Sequence, residues 1–386
     1  MTNLLLLHEN EQPSLLGMYE LMLRFGTEYG VNVRKQFASR CTKADLNWTD
    51  VCVCVRGDSP RVYSLLRYAK EMGKKVIYYL DDDLKDLPSG SFRYPRRKKW
   101  LIESIRQCSI ILSPNQLIVD EYLEYVEEQR GVVIHTAVRA DEIITVPVDS
   151  DSIRIVYAAS ESHMSNFKTN IVPFLSELFT EYGEKIELHL IGIRPKIDLG
   201  KYNNQVYFID GMPLNEYYKF MKTHHYDIGL APLTATHFTE RKYFNKYIEY
   251  SKFGICGVYS DVMPFRLAVK NGINGYLTEN KPSAWLKTLR IVLNDKESRE
   301  KVIMTAQEHL RAEHNEQRIF SKLAKDIPEL VRHKASIGTV KWPMYVRVYT
   351  VRQFVFKVSE LVYLTMFSLS HFGISVTIEK IKRKMM

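Results

Sequence analysis

The chain has 386 residues, of which 45% are hydrophobic and 26% charged, with a formal net charge of +9. This length suits two domains, and the composition excludes a disordered or fibrous chain. The cysteines show no zinc-type spacing, so we expect five buried thiols in a reducing cytoplasm: Cys41, Cys52, Cys54, Cys108 and Cys256.

The first part of the chain alternates apolar strands with helical patterns, which predicts a doubly wound parallel sheet. Strands are expected at 4–7, 51–55, 76–80, 110–112 and 132–135, and helices at 14–29, after Ser59-Pro60, at 96–107 and at 115–128. The pattern lapses between 137 and 151, where we expect a linker. We therefore predict a first Rossmann-like domain over residues 1-145.

The alternation then restarts and predicts a second Rossmann-like domain over residues 151-334. Strands are expected at 153–158, 187–191, 206–209, 228–231 and 255–259, and helices at 168–182, 214–223, 283–293, 298–310 and 317–331.

Residues 335-386 form a basic tail with an apolar helical period. From Val331 onward the chain has ten basic residues and only two acidic ones, Glu360 and Glu379. This segment therefore carries nearly all of the net positive charge, and the preceding part of the chain is nearly neutral. This distribution favours an anionic membrane surface over nucleic acid as a partner. Two alternatives are an amphipathic helical pair packed on the protein and a membrane span. The uncharged stretch 361–376 is short for a span, which needs about 20 residues.

The segment from Asp227 to Gly254 reads as strand, loop and helix, followed at once by another strand. Lys242, Lys246 and Glu249 fall at i, i+4 and i+7, so we expect them on one helical face. In such a unit the helix begins at the carboxyl edge of a parallel sheet, where open α/β folds bind ligands. The two lysines can bind phosphates, and the glutamate can accept a hydrogen bond from a sugar hydroxyl. The alternative is a charge pattern on a solvated helix.

This segment resembles the donor-binding segment of GT-B glycosyltransferases, close to family four. The similarity rests on K-x-x-E-Y followed by Gly254, after D-I-G-L-A-P-L, and continues through N-G and N-G-Y-L to Trp285, over roughly residues 150–320. It implies an α/β GT-B fold with two Rossmann-like domains facing across a cleft. It also implies that Glu249 binds the donor ribose and that Lys242 and Lys246 lie near the diphosphate. Arg241 stands where many members carry a sugar-contacting glutamate.

The loop after the first strand of the second domain contains Ala159, Ser160 and His163. Small residues let the backbone approach a phosphate. By resemblance this loop lies near the donor diphosphate, with Ala159 in place of the usual glycine. An ordinary helix-capping turn is the alternative.

Three positions at strand ends of the first domain are candidate catalytic residues: His8, Asp81 and Asp82. Inverting GT-B enzymes can place a base where His8 lies, although a strand-end histidine can also be structural. Asp81, Asp82 and the following Asp83 can line the acceptor side, cap a turn or hold a metal. A metal-binding acidic motif would suit the GT-A fold, our structural alternative. We expect no metal and no cofactor.

These observations predict a glycosyltransferase that moves a sugar from a nucleotide-sugar to a lipid-linked or membrane-proximal glycan or glycolipid. The product would serve cell-surface polysaccharide or glycolipid biosynthesis. The tail would hold the protein peripherally on the inner face of the cell membrane, or pair subunits. The alternative is a catalytically inactive GT-B-like partner in a glycan assembly complex.

Overall fold

The computed structural model describes residues 1–86, 95–144, 152–335 and 342–385. Side chains at 371–376 and 378–385 lie outside this description, as do part of the expected linker, 145–151, and the basic cluster at 380–384. Contacts divide the chain into a first unit, Met1–Thr136 with Ile319–Met386, and a second unit, Ala137–Arg318.

The described part of the first unit holds a six-stranded parallel sheet with the order β2-β1-β3-β4-β5-β6. Each strand but the last is followed by a helix, as in doubly wound sheets. The strands are β1 Thr2–His8, β2 Val31–Phe37, β3 Val51–Val55, β4 Lys75–Tyr79, β5 Ile110–Ser113 and β6 Arg130–Val133. The helices are α1 Pro13–Phe25, α2 Lys43–Trp48, α3 Pro60–Glu71, α4 Arg96–Ile105 and α5 Gln116–Leu123.

The described part of the second unit holds another six-stranded parallel sheet, ordered β12-β11-β10-β7-β8-β9. Its strands are β7 Ile153–Ala158, β8 Ile186–Ile191, β9 Val206–Ile209, β10 Ile228–Ala231, β11 Cys256–Ser260 and β12 Tyr276–Thr278. Its helices are α6 Met164–Asn170, α7 Leu175–Tyr182, α8 Leu214–His224, α9 His237–Glu240, α10 Asn245–Lys252, α11 Pro282–Asn294 and α12 Lys296–Glu313. The strand order reverses between β7 and β10, the position where such sheets bind ligands.

Three more helices follow: α13 Glu316–Asp326, α14 Glu329–Arg332 and α15 Met344–Met385. Phe320 lies 5.7 Å from Phe25 and 4.8 Å from Tyr29, ring centroid to centroid, and the Arg130 guanidinium binds Glu329. These contacts join residues 319–335 to the first unit, whereas the sequence pattern assigned them to the second domain. Within the described residues, none of the helices combines the length and apolar content needed to cross a bilayer.

The inner strands of the two sheets are buried on both faces, which explains their continuous apolar runs. All five residues of β3, Val-Cys-Val-Cys-Val, are buried. The five cysteines are buried and unpaired, as the sequence predicted. Burial raises the pKa of Cys41 to about 12, so its thiol stays protonated at neutral pH.

Candidate active site

Glu249 lies on α10 and is held by two donors. The Tyr217 hydroxyl on α8 donates to Glu249 Oε1 at 2.6 Å, and Lys246 Nζ lies 2.6 Å from the same oxygen. The Glu249 side chain is only 16% exposed. Burial, followed by the Glu249 carboxylate, raises the pKa of Tyr217, so the phenol remains a donor. Glu249 is therefore an ordered, ionisable acceptor beside a cation.

Lys242 lies outside the helix that carries Lys246 and Glu249. The expected single helical face is wrong because the chain leaves α9 at Glu240 and re-enters a helix only at Asn245. Tyr243 and Phe244, between the two helices, are buried in the core. Lys242 Nζ instead lies 5.0 Å from the centroid of the Phe238 ring.

The positive charges of Lys242 and Lys246 both affect the pKa of His163. Burial first, and then Lys242 and Lys246, lower the pKa of His163 to about 4. Its imidazole is therefore neutral at pH 7. The Tyr157 hydroxyl donates to the His163 carbonyl at 3.1 Å, which fixes the loop after β7. The structure thus brings His163, Lys242 and Lys246 into one electrostatic neighbourhood.

The loops after β7 and β8 approach each other backbone to backbone. Ala159 N donates to Ile191 O at 3.0 Å, and Gly192 has a φ of +81°. A Cβ atom on Gly192 would lie 2.5 Å from the Ala159 carbonyl oxygen, so only glycine fits there without displacing this loop. Ser160 is exposed, and its carbonyl accepts from His163 N at 2.9 Å.

The loop after β10 is tied to the same region. Thr234 donates to Asn166 Oδ1 from its backbone nitrogen at 3.2 Å and from its hydroxyl at 2.7 Å. Arg241 donates to the His237 carbonyl at 3.0 Å. The carboxyl ends of β7, β8 and β10 therefore carry one connected set of loops at the point where the strand order reverses.

The first unit has its own cluster at the carboxyl ends of β3 and β4. Arg56 binds Asp81 Oδ1 and Asp82 Oδ2, each at 3.2 Å. Arg56 has a φ of +54°, a strained conformation for a non-glycine residue that is often associated with function. Burial raises the pKa of Asp81, while Arg56 opposes that rise and Asp82 adds to it. Asp81 and Asp82 are thus held together by one cation.

Asp83 and His8 have mainly structural surroundings. Asp83 is fully buried and accepts from the Tyr122 hydroxyl at 2.7 Å and from Lys85 N at 3.1 Å. His8 is also buried, with its ring centroid 4.3 Å from that of Phe37 and Nδ1 3.2 Å from Asn10 O. Burial lowers the pKa of His8, although the contact with the Asn10 carbonyl opposes this.

No protein-family model matches the chain, and no curated protein matches its sequence. Solved structures do match it. HepE of Anabaena, in complex with UDP and glucose, is 11% identical over 85% of this chain and 100% of its own, with a TM-score of 0.60. Sucrose-phosphate synthase of Thermosynechococcus elongatus is 10% identical over 86% and 99%, with a TM-score of 0.60. The lipopolysaccharide outer core galactosyltransferase WaaB is 13% identical over 85% and 99%, with a TM-score of 0.56.

The chain has the GT-B fold. This confirms the fold class predicted from the sequence. The two six-stranded parallel sheets exclude the GT-A alternative, which has one main domain. The TM-scores of 0.56–0.60 show a shared fold. Because the identities are only 10–13%, the activity has to be argued from the site.

Within the second GT-B unit, sequence reasoning missed two residues. Tyr217 binds Glu249 from 32 positions away, on another helix, and no local spacing indicates that pairing. Gly192 follows β8 directly and occupies the same edge as Ala159. The sequence does contain an indication of Gly192, because a glycine directly after a predicted strand marks a turn or a close backbone approach.

Proposed function

We propose that this protein is a nucleotide-sugar-dependent glycosyltransferase of the hexosyltransferase type. The observation that carries the proposal is the oriented Glu249 carboxylate, held by Tyr217 and Lys246 where the strand order of the second sheet reverses. In open α/β sheets this is the ligand-binding position. A carboxylate there can accept hydrogen bonds from a ribose diol, as it does for nucleotides in Rossmann folds.

The leaving group in such a reaction is a nucleoside diphosphate, whose negative charge grows as the bond to the sugar breaks. Lys242 and Lys246 supply positive charge near His163, whose imidazole is itself neutral. The loops at Ala159-Ser160 and Gly192 present backbone at close range, which suits phosphate oxygens. We therefore propose Ala159, Ser160, His163, Lys242, Lys246 and Glu249 as the donor-binding set, with no metal required.

In the first unit we propose Asp81 and Asp82 as the residues of the acceptor side. The half-buried Asp81 carboxyl group has a raised pKa, a property of general bases that accept a proton from an acceptor hydroxyl. His8 is a second candidate for the base, and it would need the loop at Asn10 to move because its ring is buried.

The acceptor in this proposal is a lipid-linked glycan or glycolipid, used in cell-surface polysaccharide or glycolipid biosynthesis. The basic tail supports it, because an anionic inner membrane face attracts such a segment and would hold the enzyme beside a membrane-borne acceptor. WaaB, which shares the fold, is named for transfer to a lipopolysaccharide core.

A transfer assay tests the proposal. Purified protein is incubated with membranes of the organism that carries the gene and with each radiolabelled UDP-, GDP-, dTDP-, ADP- or CDP-sugar. We expect one donor to label an organic-extractable product, and the label to disappear with Glu249→Ala. Label confined to water-soluble material would contradict the lipid acceptor.

The alternative is a GT-B protein that binds without catalysing, as part of an assembly complex. Arg241 favours it, because this position lacks the carboxylate that a sugar-contacting role requires. Tight nucleotide binding with no labelled product from any donor would support this alternative over the enzyme.

A further inference from the structure

Helix α15 carries two apolar faces on opposite sides. Val346, Phe356 and Leu364 are buried; Val346 belongs to the core of the first unit, and Arg97 of α4 lies 5.5 Å from the centroid of the Phe356 ring. A second stripe is exposed, with each side chain between 43% and 78% accessible; we call it the outer face, and it comprises Met344, Val348, Val351, Phe354, Val355, Val358, Leu361, Val362, Met366 and Leu369. These positions recur at intervals of three and four, so they share one side of the helix.

The outer face is unusually large for an apolar surface in water. It spans 26 residues of helix, or about 39 Å at 1.5 Å per residue. Ten such side chains in one stripe exceed the patch of roughly 300–600 Å² that soluble monomers commonly expose. A continuous apolar surface of this size indicates an interaction site.

The charges around the outer face are positive. Arg347, Arg352 and Lys357 are exposed on the same stretch of helix. Its acidic residue, Glu360, is 12% exposed and binds the Arg97 guanidinium, with 2.9 Å between Arg97 Nη2 and Glu360 Oε2. Pairing two copies through this face would bring like charges together. An anionic lipid surface complements both the apolar stripe and the cations.

The inner face fixes where α15 lies on the first unit. The Trp342 ring, just before the helix, lies 5.1 Å from Tyr68 near the end of α3. Further along, Arg61 in the first turn of α3 donates to Thr350 Oγ1 at 3.0 Å and to Gln353 Oε1 at 3.2 Å. Thus α15 runs antiparallel to α3 and passes its first turn. Because α3 begins at the carboxyl edge of the sheet, residues 361–369 extend beyond that edge.

We propose that the outer face of α15 is a docking surface for an anionic lipid bilayer. The helix lies in the plane of the headgroups with its apolar stripe turned inward to the acyl region and its cations at the anionic surface. Docking this way holds the first unit, which carries Arg56, Asp81 and Asp82 of the proposed acceptor side, beside the membrane surface. The consequence for the acceptor rests on the proposed function; the docking itself does not.

Vesicle flotation of the full chain tests the docking. The probes are vesicles of phosphatidylcholine alone and of phosphatidylcholine mixed with phosphatidylglycerol. The variant Val351→Ser/Phe354→Ser/Val358→Ser removes the centre of the stripe, and Ile291→Ser/Met304→Ser removes two similarly exposed apolar side chains of the second unit. All five positions are exposed, so the variants should melt like the wild type.

We expect the wild type and the Ile291→Ser/Met304→Ser control to float with the mixed vesicles, more weakly as salt is added. The triple variant should bind at least tenfold more weakly. Equal flotation of the triple variant, or no flotation of the wild type, would overturn the proposal. So would a wild-type dimer in light scattering that the triple variant converts to a monomer, because a second copy would then cover the face.

The nucleotide site provides an independent readout. The triple variant should retain the thermal shift produced by a nucleoside diphosphate, and Glu249→Ala should float like the wild type. A wild type that shows the thermal shift but does not float counts against the docking surface, whereas a wild type that floats but shows no thermal shift counts against the proposed function.

Discussion

The Tyr217 hydroxyl and the Glu249 carboxylate are 2.6 Å apart, and Lys246 occupies the same carboxylate oxygen. Two donors on Oε1 fix the rotation of the carboxylate. We therefore propose Oε2 as the oxygen that accepts from a ligand hydroxyl. Tyr217 is therefore a positioning residue for the group that we propose to bind ribose.

Removing this hydroxyl should weaken nucleotide binding through the ribose. A hydrogen bond to a charged group is worth about 1.5 kcal/mol or more, so Tyr217→Phe should lower affinity for the cognate nucleoside diphosphate roughly tenfold. Calorimetric titration with that nucleotide and with its 2′,3′-dideoxy analogue provides the check, because the analogue offers no diol. The expected tenfold loss should largely vanish with the analogue.

The neighbouring Tyr218→Phe is the matched control. Tyr218 packs beside Lys252, whose Nζ lies 4.4 Å from the ring centroid, and its hydroxyl does not bind Glu249. It should leave both affinities unchanged. Equal losses for ribose and dideoxyribose ligands in Tyr217→Phe would mean that Tyr217 has only a structural role.

The environment of His163 predicts a pH dependence. Its folded-state pKa is about 4, below the ordinary 6.5, so the unfolded chain takes up a proton first as the pH falls. This histidine's contribution to the free energy of unfolding is complete above pH 6.5 and is lost between pH 6.5 and 4. His163→Gln should flatten that part of the melting-temperature profile.

The lysines make a separate prediction for the same histidine. Since Lys242 and Lys246 lower the pKa of His163, Lys242→Met should raise it, measurably by NMR titration of the labelled imidazole. A bound diphosphate should raise it as well, by neutralising the lysines. A pKa that does not move in Lys242→Met would show that Lys242 lies too far away to serve the same ligand.

Asp81 and Asp83 should respond differently to substitution. Asp83→Ala removes the Asp83 carboxylate as acceptor for the buried Tyr122 hydroxyl and for Lys85 N, which also donates to the Tyr122 hydroxyl at 2.8 Å; the expected cost is about 2–3 kcal/mol in the free energy of unfolding. Burial disfavours the charged form of Asp81, so Asp81→Asn should melt no lower than the wild type at pH 7 while losing transfer activity. Denaturant unfolding and the transfer assay measure both. An Asp81→Asn variant with full activity would exclude Asp81 from the acceptor site.

Much of the fold could be predicted because buried parallel strands produce unbroken apolar runs. Strand β2, V-N-V-R-K-Q-F, was missed because it is an edge strand with polar side chains. The expected helix at 168–182 is interrupted where Val172–Phe174 forms a tighter turn around Pro173. Such interruptions depend on a single residue within a long helical period.

The site could be predicted only where its residues are close in sequence. Lys246 and Glu249 are three apart on one helix and share a face as expected, and their side chains form an ion pair there. The position of Lys242 depends on the burial of Tyr243 and Phe244, and the Tyr217 contact depends on how α8 packs beside α10. These are tertiary effects that period and spacing do not encode.

The most direct test of the central claim is a thermal-shift panel of UDP, GDP, dTDP, ADP and CDP, with and without magnesium. It is run on the wild type, on Glu249→Ala and on Glu216→Ala, an exposed acid of α8 as control. A ligand that binds the folded state raises its melting temperature. We expect one nucleotide to stabilise the wild type and Glu216→Ala without magnesium, and to leave Glu249→Ala unchanged. A shift from none of the nucleotides, or one that persists in Glu249→Ala, would contradict the donor site.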